Sequence, residues 1–223
     1  MKKLQFDKLP KAVLFDWDST LVDSLPLVHE ALNHTLVKYN SSPWSIEDTQ
    51  VKIHQSFRDY FPILFPENWP EVVNAFRGRY LEINIDLKPF PVAIDVLNLL
   101  KELGIYIALI SNKRGDILRN ELTRLNWQGY FSKVIGSEDL KHDKPHPITV
   151  EIALENTGII PDHHTVWFVG DSVTDMETAY NTNCIPVFFG SDDHSGERYA
   201  HCRPEIIFDN HQNLLSYLKK LTS

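Results

Sequence analysis

The pattern of apolar and polar positions changes character twice along the chain. Ala12 to Phe15 is an unbroken apolar run, the mark of a short strand buried on both faces, and it stops abruptly at Asp16, Trp17 and Asp18. Apolar residues then return at helical spacing: Leu27, Val28, Ala31, Leu32 and Leu36 predict a helix to about Lys38, with Ser24 as its cap and Pro26 in its first turn. Asn40 to Ser45 breaks that pattern, Ser45 to Asp48 starts a second helix, and a third is predicted from Glu71 through Ile83 behind Pro70. From Pro89 onward strands and helices alternate. Pro91 to Leu103 reads as a helix stopped by Gly104. Ile105 to Ile110 is a strand ending in Ser111, Asn112 and Lys113, and Ile117 to Leu125 a helix. Lys133 to Ile135 (strand), Ile148 to Asn156 (helix), Thr165 to Val169 (strand, ended by Gly170 and Asp171) and Thr174 to Tyr180 (helix) follow. Ile185 to Phe189 and Ile206 to Phe208 are the last strands, and Leu214 to Leu221 the last helix.

Strands that are apolar on both faces and alternate with helices predict an α/β fold, a Rossmann-like parallel sheet covered on both sides. The helical stretch interrupts it after the first strand. The expected division is therefore residues 1–23 and 89–223 for the core and 24–88 for a small helical domain, with hinges near Ser24 and Lys88-Pro89. An insert beside the carboxyl ends of the strands is placed to act as a lid.

Composition narrows the partners. The chain has 223 residues, 43% of them hydrophobic, enough for a core domain plus a modest insertion. Its net charge of −8 and the lack of any basic block argue against nucleic acid or an anionic membrane as a partner. An anionic substrate would need local positive charge or a metal. Cys184 and Cys202 have no metal-ligand spacing and are too few for a disulfide scaffold, and the N-terminal residues show no signal-peptide pattern, so a reducing cytoplasm is expected. No apolar run approaches membrane-spanning length.

The candidate chemistry lies where the strands end. An ionised carboxylate at the end of a buried strand needs a partner or a metal, and open α/β sheets bind ligands beyond the carboxyl ends of their strands. Asp16 and Asp18 close the first strand, Ser111 the second, and Asp171 a later one, with Asp175 following at a helix start. Lys144 sits in a tight Lys-Pro-His-Pro segment before a helix. Parallel strands bring these ends to one edge. Singly each has a plain alternative: Lys144 as a solvated lysine, Ser111 as a helix cap, Asp171 and Asp175 as helix N-terminal acids. Jointly those alternatives require coincidence at four places.

In this order and strand context the residues resemble the four motifs of the haloacid dehalogenase superfamily: Asp-x-Asp-x-(Thr/Val) at Asp16, Asp18 and Thr20; Ser111; Lys144; and Gly-Asp-x-x-x-Asp at Gly170, Asp171 and Asp175. The helical insert resembles the family's C1 cap. Asp23-Ser24, Ser-Asn-Lys at 111–113 and Lys-Pro-His-Pro at 144–147 are similar to the phosphoglycolate phosphatase-like branch. The resemblance implies Asp16 as a nucleophile that forms an aspartyl-phosphate, and Asp18 as the acid and then the base. It implies Mg2+ on Asp16, the Asp18 backbone carbonyl and Asp171, with Asp175 acting through water or by holding Lys144. Ser111, Asn112 and Lys144 would hold phosphate, and Thr20 would orient Asp18. The substrate implied is a small phosphorylated metabolite, with phosphoglycolate leading. A phosphosugar mutase, or a nucleotidase or pyrophosphatase, uses the same residues. A non-catalytic phosphate-binding module is the remote alternative, and it would be expected to lack a motif carboxylate.

Other features carry less. Related caps often have glycine where this chain has Lys52-Ile53-His54, which makes His54 and Arg58 the candidates for substrate selection. Val92 stands where Pro-Gly is common, and reads as a variation of the helix start. His142 and His146 have zinc-helix spacing, but Pro145 between them breaks that geometry. His163-His164 reads as a solvated loop, and Trp44, Phe65 and Trp69 as packing of the cap.

Overall fold

The first apolar run forms β1 (Ala12–Phe15), fully buried, at the centre of a six-stranded sheet. This computed structural model describes residues 8–52, 57–161, 165–190 and 196–222; the side chains of residues 51 and 57–59 also lie outside the described set. The remaining strands of the sheet are β4 (Tyr106–Arg114), β5 (Lys133–Ser137), β6 (Val166–Gly170), β7 (Ile185–Phe189) and β8 (Ile206–Phe208), in the order β5-β4-β1-β6-β7-β8 and all parallel. The order reverses direction at β1, so the crevice beyond its carboxyl end is the switch point where such sheets take ligands.

Residues of β1 alternate between two apolar layers. Val13 and Phe15 pack with α5 (Ala93–Glu102), α6 (Gly115–Leu125) and α9 (His211–Leu221), while Ala12 and Leu14 pack with α7 (Ile148–Ala153) and α8 (Val173–Asn181). The predicted α/β architecture is the one observed. Three elements differ in extent by three residues or more. Helix α9 starts at His211 and not at the predicted Leu214. β4 runs past Ser111 to Arg114, because Arg114 regains pairing with Ser137 after a register shift beyond Ile110. The helix predicted to Asn156 stops at Ala153, and Asn156 has a left-handed φ of 63°.

The chain leaves the sheet through β2 (Val22–Asp23) and returns through β3 (Lys88–Pro89), which pair antiparallel, Val22 with Pro89 and Asp23 with Lys88. Between them lie α1 (Leu25–Lys38), α2 (Ile46–Lys52), α3 (Phe57–Leu64) and α4 (Trp69–Ile83). Helix α3 was not expected, because Pro62 lies inside it and masks the apolar spacing. These helices share an apolar cluster built on Leu32, Leu36, Phe61, Val73, Phe76 and Tyr80, with Phe65 buried in it and Trp44 and Trp69 packed against it. Ser24 does not cap α1. Its side chain makes no capping bond, and its buried Oγ has no partner. Among the described residues, no helix is long and apolar enough to cross a membrane.

Two local features bear on stability. Val92, at the start of α5, has φ +66°. The left-handed region costs an L-residue with a Cβ about 1–2 kcal/mol, and a β-branched side chain suffers most. The helix start is therefore a strained one. Replacing Val92 with Gly should raise unfolding free energy by about 0.5–1 kcal/mol, after the greater flexibility of glycine in the unfolded chain is subtracted; a fall in urea midpoint for V92G would show that the side chain's packing outweighs the strain.

His211 is buried against Phe90 and Phe189, and its Nε2 has no partner. Burial lowers its pKa from the ordinary 6.5 to about 4, with a hydrogen bond to the Thr20 backbone opposing the shift. The folded protein thus keeps the ring neutral where the unfolded chain takes up a proton. This contribution is complete above about pH 6.5 and is lost as pH drops from there through 4, by about 3 kcal/mol in all. Between pH 7 and pH 5, urea titrations should show wild type losing about 2 kcal/mol more, or gaining about 2 kcal/mol less, than His211→Phe; an equal pH response in the two proteins would remove His211 as its source.

Candidate active site

Asp16 is delivered by the end of β1, where its backbone N–H still bonds the Val169 carbonyl of β6 at 2.9 Å. Lys144, from the segment ahead of α7, reaches it from the other side. Its Nζ donates to Asp16 Oδ1 and to Asp175 Oδ1, both at 2.6 Å, and the three side chains are almost fully buried. Asp175 also serves as N3 of α8: Ser172 N and Oγ donate to its Oδ2, and its own N–H returns to Ser172 Oγ. Gly170 is required at the end of β6, because a Cβ there would stand 2.3 Å from the Asp175 side chain.

Carboxylate oxygens of Asp16, Asp171 and Asp175 lie within 4.8 Å of one another. Burial, followed by the charges of Asp175 and Asp18, pushes the Asp16 carboxyl up to about 7 despite Lys144. Burial, Asp175 and Asp16 likewise raise Asp171 far above the usual carboxylate range. Lys144 moves up as well: burial opposes its charge, but Asp16 and Asp175 outweigh burial. Three crowded hard oxygen donors beside a single lysine are a donor set suited to a divalent cation such as magnesium.

Asp18 faces elsewhere. Its Oδ1 accepts from Lys113 Nζ at 2.6 Å, and its carboxylate is not in the metal-type cluster, so only its backbone carbonyl remains for the expected role on the metal. Lys113 also donates to Glu121 Oε2 at 2.7 Å and to the Tyr80 hydroxyl at 2.9 Å. Glu121 is wholly buried and receives four donors: Trp17 Nε1, Lys113 Nζ, the Tyr80 hydroxyl and Asn84 Nδ2. Burial works against the charge on Lys113, but Asp18, Tyr80 and Glu121 hold its pKa well above the ordinary value.

One expected role is corrected. Thr20 donates to Asp171 Oδ1 at 3.1 Å rather than orienting Asp18, because the turn after Asp18 carries it towards β6. The Asn112 side chain is engaged with Lys144, which leaves the Asn112 backbone N–H, directly after Ser111, as the group for the expected phosphate contact. The side-chain amide donates to the Lys144 carbonyl at 3.1 Å and accepts from the Lys144 N–H at 3.0 Å, which fixes the lysine's backbone. Ser111 is buried with its Oγ accepting from the Lys113 N–H. His54 lies outside the described residues, as do His163 and His164; Arg58 lies in α3 with its side chain outside them. The rings of His142 and His146 stack at 4.3 Å in a non-helical segment.

A cavity of about 130 Å³ joins these groups to the helices above. Asp16, Asp18, Ser111, Lys144 and Asp171 line its floor; Val28 of α1 and Phe76, Arg77 and Tyr80 of α4 line its roof. The sequence reading did not single out Arg77, Tyr80 or Glu121. Glu121 did leave a signal: it shares the apolar face of Ile117, Leu118 and Leu122, where a carboxylate must find buried donors.

A family model for haloacid dehalogenase-like hydrolases matches residues 13–188. Phosphoglycolate phosphatase 1 of Pseudomonas aeruginosa is 28% identical over 220 residues, covering 93% of this chain and 79% of that protein. Pyrophosphatase PpaX of Anoxybacillus flavithermus is 26% identical over 207 residues, covering 92% and 95%. The solved structure of a predicted phosphoglycolate phosphatase from Haemophilus somnus shares the fold, with a TM-score of 0.80 at 24% identity over 93% of this chain and 97% of that one. With its motif residues gathered at the switch point of the sheet, the chain belongs to the haloacid dehalogenase-like hydrolase family.

Proposed function

We propose that the protein is a magnesium-dependent phosphatase that cleaves a small phosphate monoester through an aspartyl-phosphate on Asp16, with phosphoglycolate as the leading substrate. The observation that carries this reading is the convergence at one cavity floor of a lysine-held Asp16, the Asp171–Asp175 pair and a second carboxylate, Asp18, two residues away. Phosphoryl transfer asks for a nucleophile, charge neutralisation and an acid for the leaving oxygen, and this set provides each.

Asp16 attacks phosphorus and the ester oxygen leaves with a proton from Asp18. Water then attacks the acyl phosphate, with Asp18 taking its proton, and inorganic phosphate departs. Lys144 steadies Asp16 and, with Ser111, binds the oxygens of the transferring group. Asp18 is held by Lys113, so giving or taking a proton requires it to turn from that lysine towards the substrate. Asp16, Asp171, Asp175 and the Asp18 carbonyl would hold magnesium, Asp175 through water; when bound, it offsets the repulsion between anionic nucleophile and anionic phosphate. Residues 24–88 act as the cap over this floor, a role supported by their own apolar cluster and by the paired β2 and β3 at which they leave and rejoin the core. The setting that suits two free, buried cysteines is a reducing cytoplasm.

The cavity favours a small substrate. At about 130 Å³ it is well below the roughly 300–1,000 Å³ of sites for drug-sized ligands. The P. aeruginosa relative supports phosphoglycolate. Pyrophosphate is the second reading, favoured by the PpaX relative, which this chain covers almost end to end.

Phosphate release should be measured on p-nitrophenyl phosphate, phosphoglycolate, pyrophosphate and sugar phosphates, with magnesium and with chelator. Turnover is expected only with magnesium, and Asp16→Asn should reduce kcat by about a thousand-fold or more while leaving the protein folded. Turnover that survives D16N would remove Asp16 as nucleophile, and bisphosphate-dependent isomerisation of a sugar phosphate would make the protein a mutase instead.

A further inference from the structure

Four basic side chains line the cavity: Arg77, Lys113, Arg114 and Lys144. Their partners divide them into two kinds. Lys144 is bound to buried Asp16 and Asp175, and Lys113 to Glu121, which is also buried. Those anions cannot move to water, so both lysines keep their protein partners, and much of the charge that either offers a ligand is already offset. Arg77 pairs with Glu138, in the loop after β5, and Arg114 with Asp116, its neighbour two residues on; these carboxylates are 40% and 61% exposed. A surface carboxylate can return to solvent at little cost.

Of the two arginines, Arg77 is the more enclosed, 16% exposed against 27% for Arg114. It comes from α4, so it stands in the cavity roof opposite the reacting carboxylates, among apolar Val28, Phe76 and Ile117. A guanidinium set in such a wall needs an anion, and a planar carboxylate or phosphoryl group suits its forked donors. In a space this small, an anion there must belong to the same molecule as the phosphate on the floor.

We infer that Arg77 is a specificity-determining residue that takes a second anionic group of the substrate, exchanging Glu138 for it. The substrate class is then a short phosphomonoester with a second negative group a few bonds from phosphorus, such as a two- or three-carbon phospho-acid, and not a neutral phosphosugar or phospho-alcohol. This rests on the phosphatase reading of the cavity floor. It adds a residue outside the family motifs and a reason for the cap to close on one kind of ligand: the incoming anion replaces a bond already made between α4 and the loop after β5.

The experiment compares 2-phosphoglycolate with 2-hydroxyethyl phosphate, which replaces the carboxylate by a neutral alcohol, in wild type, Arg77→Gln and Glu138→Gln. Wild type should favour phosphoglycolate in KM by about ten-fold or more. R77Q should abolish most of that preference. E138Q should lower KM for phosphoglycolate a few-fold, because the competing anion is gone. If the Arg77–Glu138 pair were only a latch, both variants would break the same bond and shift KM in the same direction; that result overturns the inference, as does a preference that survives R77Q. The same comparison is read from dissociation constants by calorimetry with magnesium. Absence of turnover on every phosphate ester would therefore defeat the phosphatase reading, while the binding preference and its response to R77Q still decide the role of Arg77.

Discussion

The structure depends on one buried cation, Lys144, placed between Asp16 and Asp175. A parallel sheet collects the carboxyl ends of its strands at one edge, and here that edge receives the carboxylates of Asp16, Asp171 and Asp175 within 4.8 Å. Such a group repels itself, and burial multiplies the repulsion. Lys144 offsets part of it, and its own position is fixed twice over: by two carboxylates at its tip, and by Asn112 clamping its backbone N–H and C=O. β1 and the start of α8 are thereby tied to the segment ahead of α7 at one atom, Nζ, and β4 is tied to that segment through the lysine's backbone. Removing any one partner strands a buried charge, a change that typically costs several kcal/mol.

Glu121 solves the same problem with the opposite sign. It is a buried anion surrounded by donors from four places: Trp17 after β1, Lys113 of β4, Tyr80 of α4 and Asn84 just beyond α4. Two of those belong to the helical insert and two to the sheet. Asp18 is attached to this arrangement through Lys113 alone. The carboxylate proposed to give and take the proton is therefore held by the same lysine that contacts Tyr80 of α4. A shift of α4 that withdraws the Tyr80 hydroxyl alters the hydrogen bonding of Lys113, and with it the hold on Asp18. In the proposed mechanism, the placement of α4 and the state of Asp18 would be linked by direct contact through Lys113.

The sheet was legible in the sequence because its strands are buried on both faces and read as continuous apolar runs. Five of them fall within two residues of their expected positions at both ends. The groups on the cavity floor were legible for a related reason: carboxylates and a serine directly after buried strands have few packing explanations. What failed was local. Ser24 has the type of a cap without the bond, because its backbone sits in the α region instead of the extended geometry that aims a capping side chain. Helix α3 hid behind Pro62, and the strain at Val92 is a matter of φ that residue type alone does not reveal. The role of Thr20 was misjudged by one neighbour, since it reaches Asp171 and not Asp18. A motif fixes which residues meet, but the turn after the strand decides which atom each one reaches.

Net charge gives a misleading impression of this site. A chain at −8 should repel an anionic ligand, yet the basic groups that matter are gathered around one small cavity, out of view in a sum over 223 residues. At physiological ionic strength charges separated by more than about 8 Å are largely screened, so most of the surface acidity does not reach the cavity. Inside, the effective dielectric is lower and screening weaker, and the few charges present dominate. What a ligand meets there is set by which cations are already committed. Lys113 and Lys144 serve the protein's own buried carboxylates, so their charge is largely cancelled before any ligand arrives. The arginines at the rim are paired with carboxylates that water can take back, and their charge remains available. Burial of the partner anion, more than the count of basic residues, therefore determines how positive the cavity is to an incoming group.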